Sequence, residues 1–187
     1  MITIPVGVSN HHVHLTKEDI NILFGENYVL TKKRDLSQKG EFATNETVTL
    51  ENNGKLIEHV RIIGPYRPYT QVEILKTDAE YLGLCPPVRK SGDLNNSETI
   101  TIIGPKGKVK KENSCIIAER HIHINSELAR KLNLTNEQVV TLKTKDNQIM
   151  DKVFIKEGKN FNLELHIDKC DSKEFNLENG SIVYLDK

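Results

Sequence analysis

The chain carries seven histidines, and His12-Val13-His14 recurs as His121-Ile122-His123, 109 positions further on. In a strand, residues i and i+2 point to one face. Read as strands, these segments each project two imidazoles together, with Val13 or Ile122 on the opposite face. Neutral imidazole is the commonest protein ligand for zinc, so each pair is part of a metal site. Comparing the chain with itself supplies a third member. Val48-Thr49-Leu50 resembles Val140-Thr141-Leu142. Val60 matches Val153, Glu73-Ile74 matches His166-Ile167, and Lys76-Thr77-Asp78 matches Lys169-Cys170-Asp171, all at an offset of 93. The two copies thus offer the triplets His12/His14/Glu73 and His121/His123/His166. Three protein ligands leave coordination positions open, the pattern of a catalytic rather than a structural zinc site.

Just before Glu73 lies Gly64-Pro65-Tyr66-Arg67-Pro68-Tyr69-Thr70-Gln71. Prolines on both sides of Arg67 stiffen the loop, and a guanidinium fork suits two-pronged capture of phosphate or carboxylate. Arg67 is therefore the candidate catalytic and substrate-binding residue outside the triplets. His11 faces away from His12 in a regular strand, and His59 reads as a solvated strand residue. Cys85, Cys115 and Cys170 show no CxxC spacing, so each reads as a small buried apolar residue in a reducing compartment. No GxxxxGK[ST] or GxGxxG motif is present, which argues against a P-loop or a dinucleotide site.

The elements that must position these residues are mostly short strands. Thr47–Leu50, Val60–Ile63, Thr99–Ile103, Val139–Leu142 and Ser181–Leu185 are rich in β-branched residues and bounded by Gly, Asn, Asp and Pro. Asn52-Asn53-Gly54 and Lys145-Asp146-Asn147 read as hairpin turns. Short helices open at Thr16-Lys17-Glu18-Asp19, at Asp78–Leu82 and at Ser126–Leu132. The expected fold is mainly β: two related β-barrel-like units capped by short α-helices, arising from an internal duplication. The approximate division is 1–90 and 91–187, the two halves forming one compact catalytic unit.

With 187 residues, 26 Lys+Arg, 26 Asp+Glu and 37% hydrophobic residues, the chain has enough apolar material for packed cores. Its zero formal charge argues against a nucleic-acid partner. No apolar run approaches the roughly 18–20 residues of a membrane span.

At these residues the sequence resembles the PduL-type phosphotransacylases, or phosphate propanoyltransferases. The matching stretches run in order along nearly the whole chain. They include Val6–Leu15, Leu36-Ser37-Gln38, Glu46–Leu50, Gly64-Pro65, Thr70–Ile74, Thr77-Asp78-Ala79, Pro87-Val88-Arg89, Ser91-Gly92-Asp93, Ala118–His123 and Leu165–Asp168. The resemblance implies reversible transfer of a short acyl group, acetyl or propanoyl, between coenzyme A and inorganic phosphate. It implies two zinc ions per chain, one on His12, His14 and Glu73 and one on His121, His123 and His166, with Arg67 binding phosphate. The partners implied are coenzyme A or acyl-CoA and phosphate or acyl phosphate, and self-association into a homo-oligomer is compatible with the family. One position departs from the family: His11 stands where Arg is usual, which bears on any contact to an anionic substrate. Many relatives carry an N-terminal extension for bacterial microcompartments. This chain starts at the first strand, so the expected location is cytoplasmic.

Two other readings compete. A two-metal hydrolase of a small substrate would also use paired HxH motifs. A cupin-like metal-binding protein would use His12, His14 and Glu18, but leaves the second HxH without a role.

Overall fold

The computed structural model describes residues 2–185, and its chain divides into two compact units. One unit combines residues 1–10 with 119–187; the other is residues 11–118. This division differs from a cut near 90/91, and the reason lies in the strand pairing.

The 11–118 unit contains β2 (His12–His14), α1 (Lys17–Phe24), β3 (Lys32–Asp35), β4 (Phe42–Asn52), β5 (Lys55–Gly64), β6 (Gln71–Glu73), α2 (Lys76–Leu82), β7 (Val88–Arg89), β8 (Glu98–Ile103) and β9 (Lys108–Ala118). Its hydrogen-bonded ring runs β4-β5-β2-β6-β9-β8 and returns to β4, with β3 added to β4 and β7 to β9. The other unit contains β1 (Ile2–Ser9), β10 (His121–Ile124), α3 (Ser126–Lys131), β11 (Val139–Thr144), β12 (Ile149–Glu157), β13 (Glu164–Asp168), α4 (Lys169–Glu174) and β14 (Ile182–Leu185). These strands close as β1-β13-β10-β12-β11-β14.

The two rings repeat each other. β2 is parallel to β5 and antiparallel to β6; β10 is parallel to β12 and antiparallel to β13. Continuing around, β9 occupies in one ring the place that β1 occupies in the other. Yet β1 immediately precedes β2 in sequence, and β9 immediately precedes β10. Each repeat therefore gives its first strand to the ring built by the rest of the other repeat. An offset of residue numbers reveals the duplication but carries no information about this exchange.

Each unit has its own core. Val13, Ile20, Leu23, Val48, Leu50, Val60, Ile62, Val72 and Ile102 fill one; Ile4, Val6, Ile122, Ile124, Leu142, Val153, Ile155, Leu165 and Val183 fill the other. Four of the five expected strands lie within observed ones, and the fifth, Ser181–Leu185, is observed from Ile182. Asn53 and Gly54, both at positive φ, make the two-residue turn joining β4 to β5. Thr16 caps α1, accepting from Asp19 N at 3.1 Å. The second helix starts at Lys76 because Asp78 is its third residue, and its carboxylate reaches back to Leu75 N at 3.1 Å. Asn125 caps α3, and Asp168 caps a fourth helix whose polar sequence carries no apolar stripe. No helix among the described residues is long and apolar enough to cross a membrane.

Candidate active site

Strand register brings each triplet together. His12 lies directly across from Glu73 in the β2–β6 pair, and His121 directly across from His166 in the β10–β13 pair. Residues opposite one another on antiparallel strands have Cβ atoms about 5 Å apart. His14 and His123, two residues on, add the third donor group from the same strand face; Val13 and Ile122 point the other way, fully buried in the cores. In each triplet the ligand-capable atoms all lie within 4.8 Å of one another. Glu18 of the cupin-like reading belongs instead to the exposed first turn of α1.

The spacing suits a small divalent ion. Bonds of about 2.0–2.1 Å in a tetrahedral zinc site put neighbouring ligand atoms about 3.3–3.4 Å apart. His12 Nε2 is 3.4 Å from Glu73 Oε2, and His123 Nδ1 is 3.3 Å from His166 Nε2. His121 Nδ1 lies 2.8 Å from the Glu119 carbonyl, to which it donates, so Nε2 keeps the lone pair a cation needs. Nδ1 of His14 is buried without a hydrogen-bond partner. Burial, reinforced by His12 and Arg67, lowers the His14 pKa to about 3. Burial and then the neighbouring His166 and His121 push His123 strongly downward as well. Both rings are thus neutral near pH 7, the form that binds metal.

Arg67 is held from three sides. Its main-chain N–H donates to Leu15 O at 3.0 Å, Nη2 donates to Glu41 Oε1 at 2.9 Å, and Nη1 donates to Ser91 Oγ at 3.2 Å. Ser91 Oγ also accepts from Gln71 Nε2 at 2.9 Å. The same amide nitrogen donates to Glu73 Oε1 at 2.6 Å, while Gln71 Oε1 accepts from Gly92 N at 2.8 Å. Gln71 is fully buried and its amide orientation is fixed by these three bonds. A continuous hydrogen-bonded path therefore joins the Arg67 guanidinium to the Glu73 carboxylate.

Glu41, Gln71 and Ser91 did not stand out as site residues in the sequence, because no residue-type pattern marks a hydrogen-bonded support. Glu164 was also missed: its Oε2 is 2.5 Å from His166 Nε2. The Phe161 ring, 4.4 Å from that of His123, adds an apolar face. His11 binds Asp78 Oδ2 through Nδ1 at 2.9 Å, and so is tied to the start of α2. His59 is exposed, at positive φ in β5. Cys115 is buried, and burial, with Glu98 and Asp78 adding, pushes its thiol up to about 12. Cys85 is exposed and Cys170 half-buried, so of the three only Cys115 is the buried apolar residue expected.

Two β-barrel units, each carrying on equivalent strands a three-residue cluster that could hold a metal ion, define a duplicated β-barrel protein. A family model described as phosphate propanoyltransferase matches residues 5–178. The chain is similar to the phosphate propanoyltransferase of Thermotoga maritima, 44% identical over 183 residues (96% of this chain and 87% of the relative). It is 47% identical over 168 residues to that of Priestia megaterium (89% and 77%), and 39% identical over 186 residues to that of Rhodopseudomonas palustris (98% and 82%). The chain belongs to the phosphate propanoyltransferase family, whose members are acyltransferases.

Proposed function

We propose that this protein transfers a short acyl group, acetyl or propanoyl, reversibly between coenzyme A and inorganic phosphate, with one zinc ion held by His12, His14 and Glu73 and a second by His121, His123 and His166. The observation that carries the reading is the path from Arg67 through Ser91 and Gln71 to Glu73, which couples an anion-binding group to a metal ligand. Zinc at such a site supplies Lewis acidity for a carbonyl and stabilises a thiolate.

The chain's own residues do the rest. Arg67, its side chain steered by Glu41 and Ser91, holds the phosphate in place as an oxygen of it attacks the thioester carbonyl. The guanidinium offsets charge in the tetrahedral species, which collapses by breaking the C–S bond and releasing coenzyme A as thiolate. The acyl group passes directly to phosphate. Cys115 is buried as a neutral thiol, and Ser91 has no base beside it among its hydrogen-bond partners, so neither is set up for attack.

The test is formation of acyl-CoA from coenzyme A and acetyl or propanoyl phosphate, on zinc-loaded and chelator-treated protein. Turnover that depends on metal supports the reading and ranks the acyl groups. Two bound metals without turnover would favour the hydrolase instead. Kinetics in which both substrates must be bound together support direct transfer; an isolable acyl-enzyme would refute that step.

A further inference from the structure

The offset of 93 that relates Glu73 to His166 also relates Gln71 to Glu164. Each stands two residues before the third ligand, on the same strand face, and each touches that ligand. Gln71 Nε2 donates to Glu73 Oε1 at 2.6 Å, and Glu164 Oε2 meets His166 Nε2 at 2.5 Å. The polarity is reversed between copies: an amide donor serves a carboxylate, and a carboxylate acceptor serves an imidazole.

Charge makes the exchange informative. The His12/His14/Glu73 cluster holds one carboxylate, with neutral Gln71 behind it. The His121/His123/His166 cluster holds none until Glu164 is included. With Glu164, each copy presents one negative charge to its cation, from opposite members of the same residue pair.

Position supports a direct role. His166 Nε2, which Glu164 touches, is also the atom 3.3 Å from His123 Nδ1 and so the one turned toward the cluster. A cation replacing the proton on that nitrogen finds Glu164 Oε2 beside it. The carboxylate is held in a half-buried setting, 16% exposed. Gly7, opposite His166 in the β1–β13 pair, leaves its space: a Cβ there would come within 2.9 Å of Glu164 Cδ.

We propose that Glu164 is the fourth protein donor of the second cluster, holding a divalent cation together with His121, His123 and His166. The proposal rests on the metal-binding reading above. It is tested with the full chain as wild type, Glu164→Gln and Gly7→Ala, each also in a His12→Ala background that isolates the second cluster. Zn²⁺ affinity is read by chelator competition and coordination by the visible spectrum of bound Co²⁺. Glu164→Gln is expected to weaken the ion at the second cluster roughly 10- to 100-fold and to change its Co²⁺ bands. Gly7→Ala, which displaces the carboxylate without altering it, is expected to shift both in the same direction, and carries the test should Glu164→Gln fail to fold. Wild-type affinity and an unchanged spectrum in a folded variant would overturn the assignment of Glu164 alone. Wild-type protein that takes up no divalent ion would overturn the underlying reading, and this one with it.

Discussion

Arg67 and Ser91 are joined by a hydrogen bond of 3.2 Å in which the guanidinium donates and the hydroxyl accepts. Because Gln71 also donates to Ser91 Oγ, both of its lone pairs are engaged, and its O–H is the donor left over. That proton is available to the phosphate proposed to bind at Arg67. Ser91→Ala is expected to raise KM for acyl phosphate roughly tenfold, the worth of a hydrogen bond to a charged group, with little change in KM for coenzyme A. Steady-state kinetics varying each substrate in turn check this; equal effects on both would count against it.

Lysine cannot reproduce the Arg67 contacts. A single ammonium does not span Glu41 and Ser91 as the two ends of the guanidinium do. Arg67→Lys should lower kcat/KM by about 100-fold or more, corresponding to about 3 kcal/mol. Zinc content should stay at the wild-type value, since Arg67 is not among the ligands. A loss of zinc in this variant would show that Arg67 acts by holding the cluster together.

The two clusters belong to separate units with separate cores. His12→Ala and His121→Ala should therefore each remove one zinc ion of two and leave the other in place. Elemental analysis after dialysis gives the stoichiometry. Loss of both ions from either variant would contradict independent sites.

Glu46 makes a pH prediction. Burial alone would raise its pKa, but hydrogen bonds from Thr31 and Tyr28 outweigh burial and bring it below the ordinary 4.5. A carboxyl whose folded pKa is depressed adds stability above its unfolded pKa, and that contribution is lost as pH falls through the folded value. Glu46→Gln should therefore lower Tm at pH 7 and narrow its gap from wild type on acidification below about 4.5. Thermal melts of both proteins between pH 3 and 7 measure the convergence.

The grouping of the two triplets was legible in the sequence because strand periodicity and the repeat offset each constrain side-chain direction, and the register places His12 opposite Glu73 and His121 opposite His166. The barrel class followed from β-branched segments and turn residues. Other features were not legible. Ser91 follows Arg67 by 24 residues in a loop, and only the fold shows that Gln71 bridges it to Glu73. Glu164 carries no residue-type signal of its own, and its contact with His166 depends on the space left by Gly7, 157 residues earlier. Pairing of β1 with β13 and β14 is likewise a choice of partner, which local pattern does not encode.

That pairing bears on how such a chain could arise. A single repeat, with five strands for its own ring and a sixth it cannot use there, is completed only by a second copy that donates in return. On this pairing a lone repeat would close its ring only as a reciprocal dimer, and a single chain of two repeats tethers the two partners. Severing the chain in the β8–β9 turn, after Pro105, recreates that situation. Either fragment alone is an incomplete ring with a stray ribbon, whereas the two expressed together hold every strand both rings require.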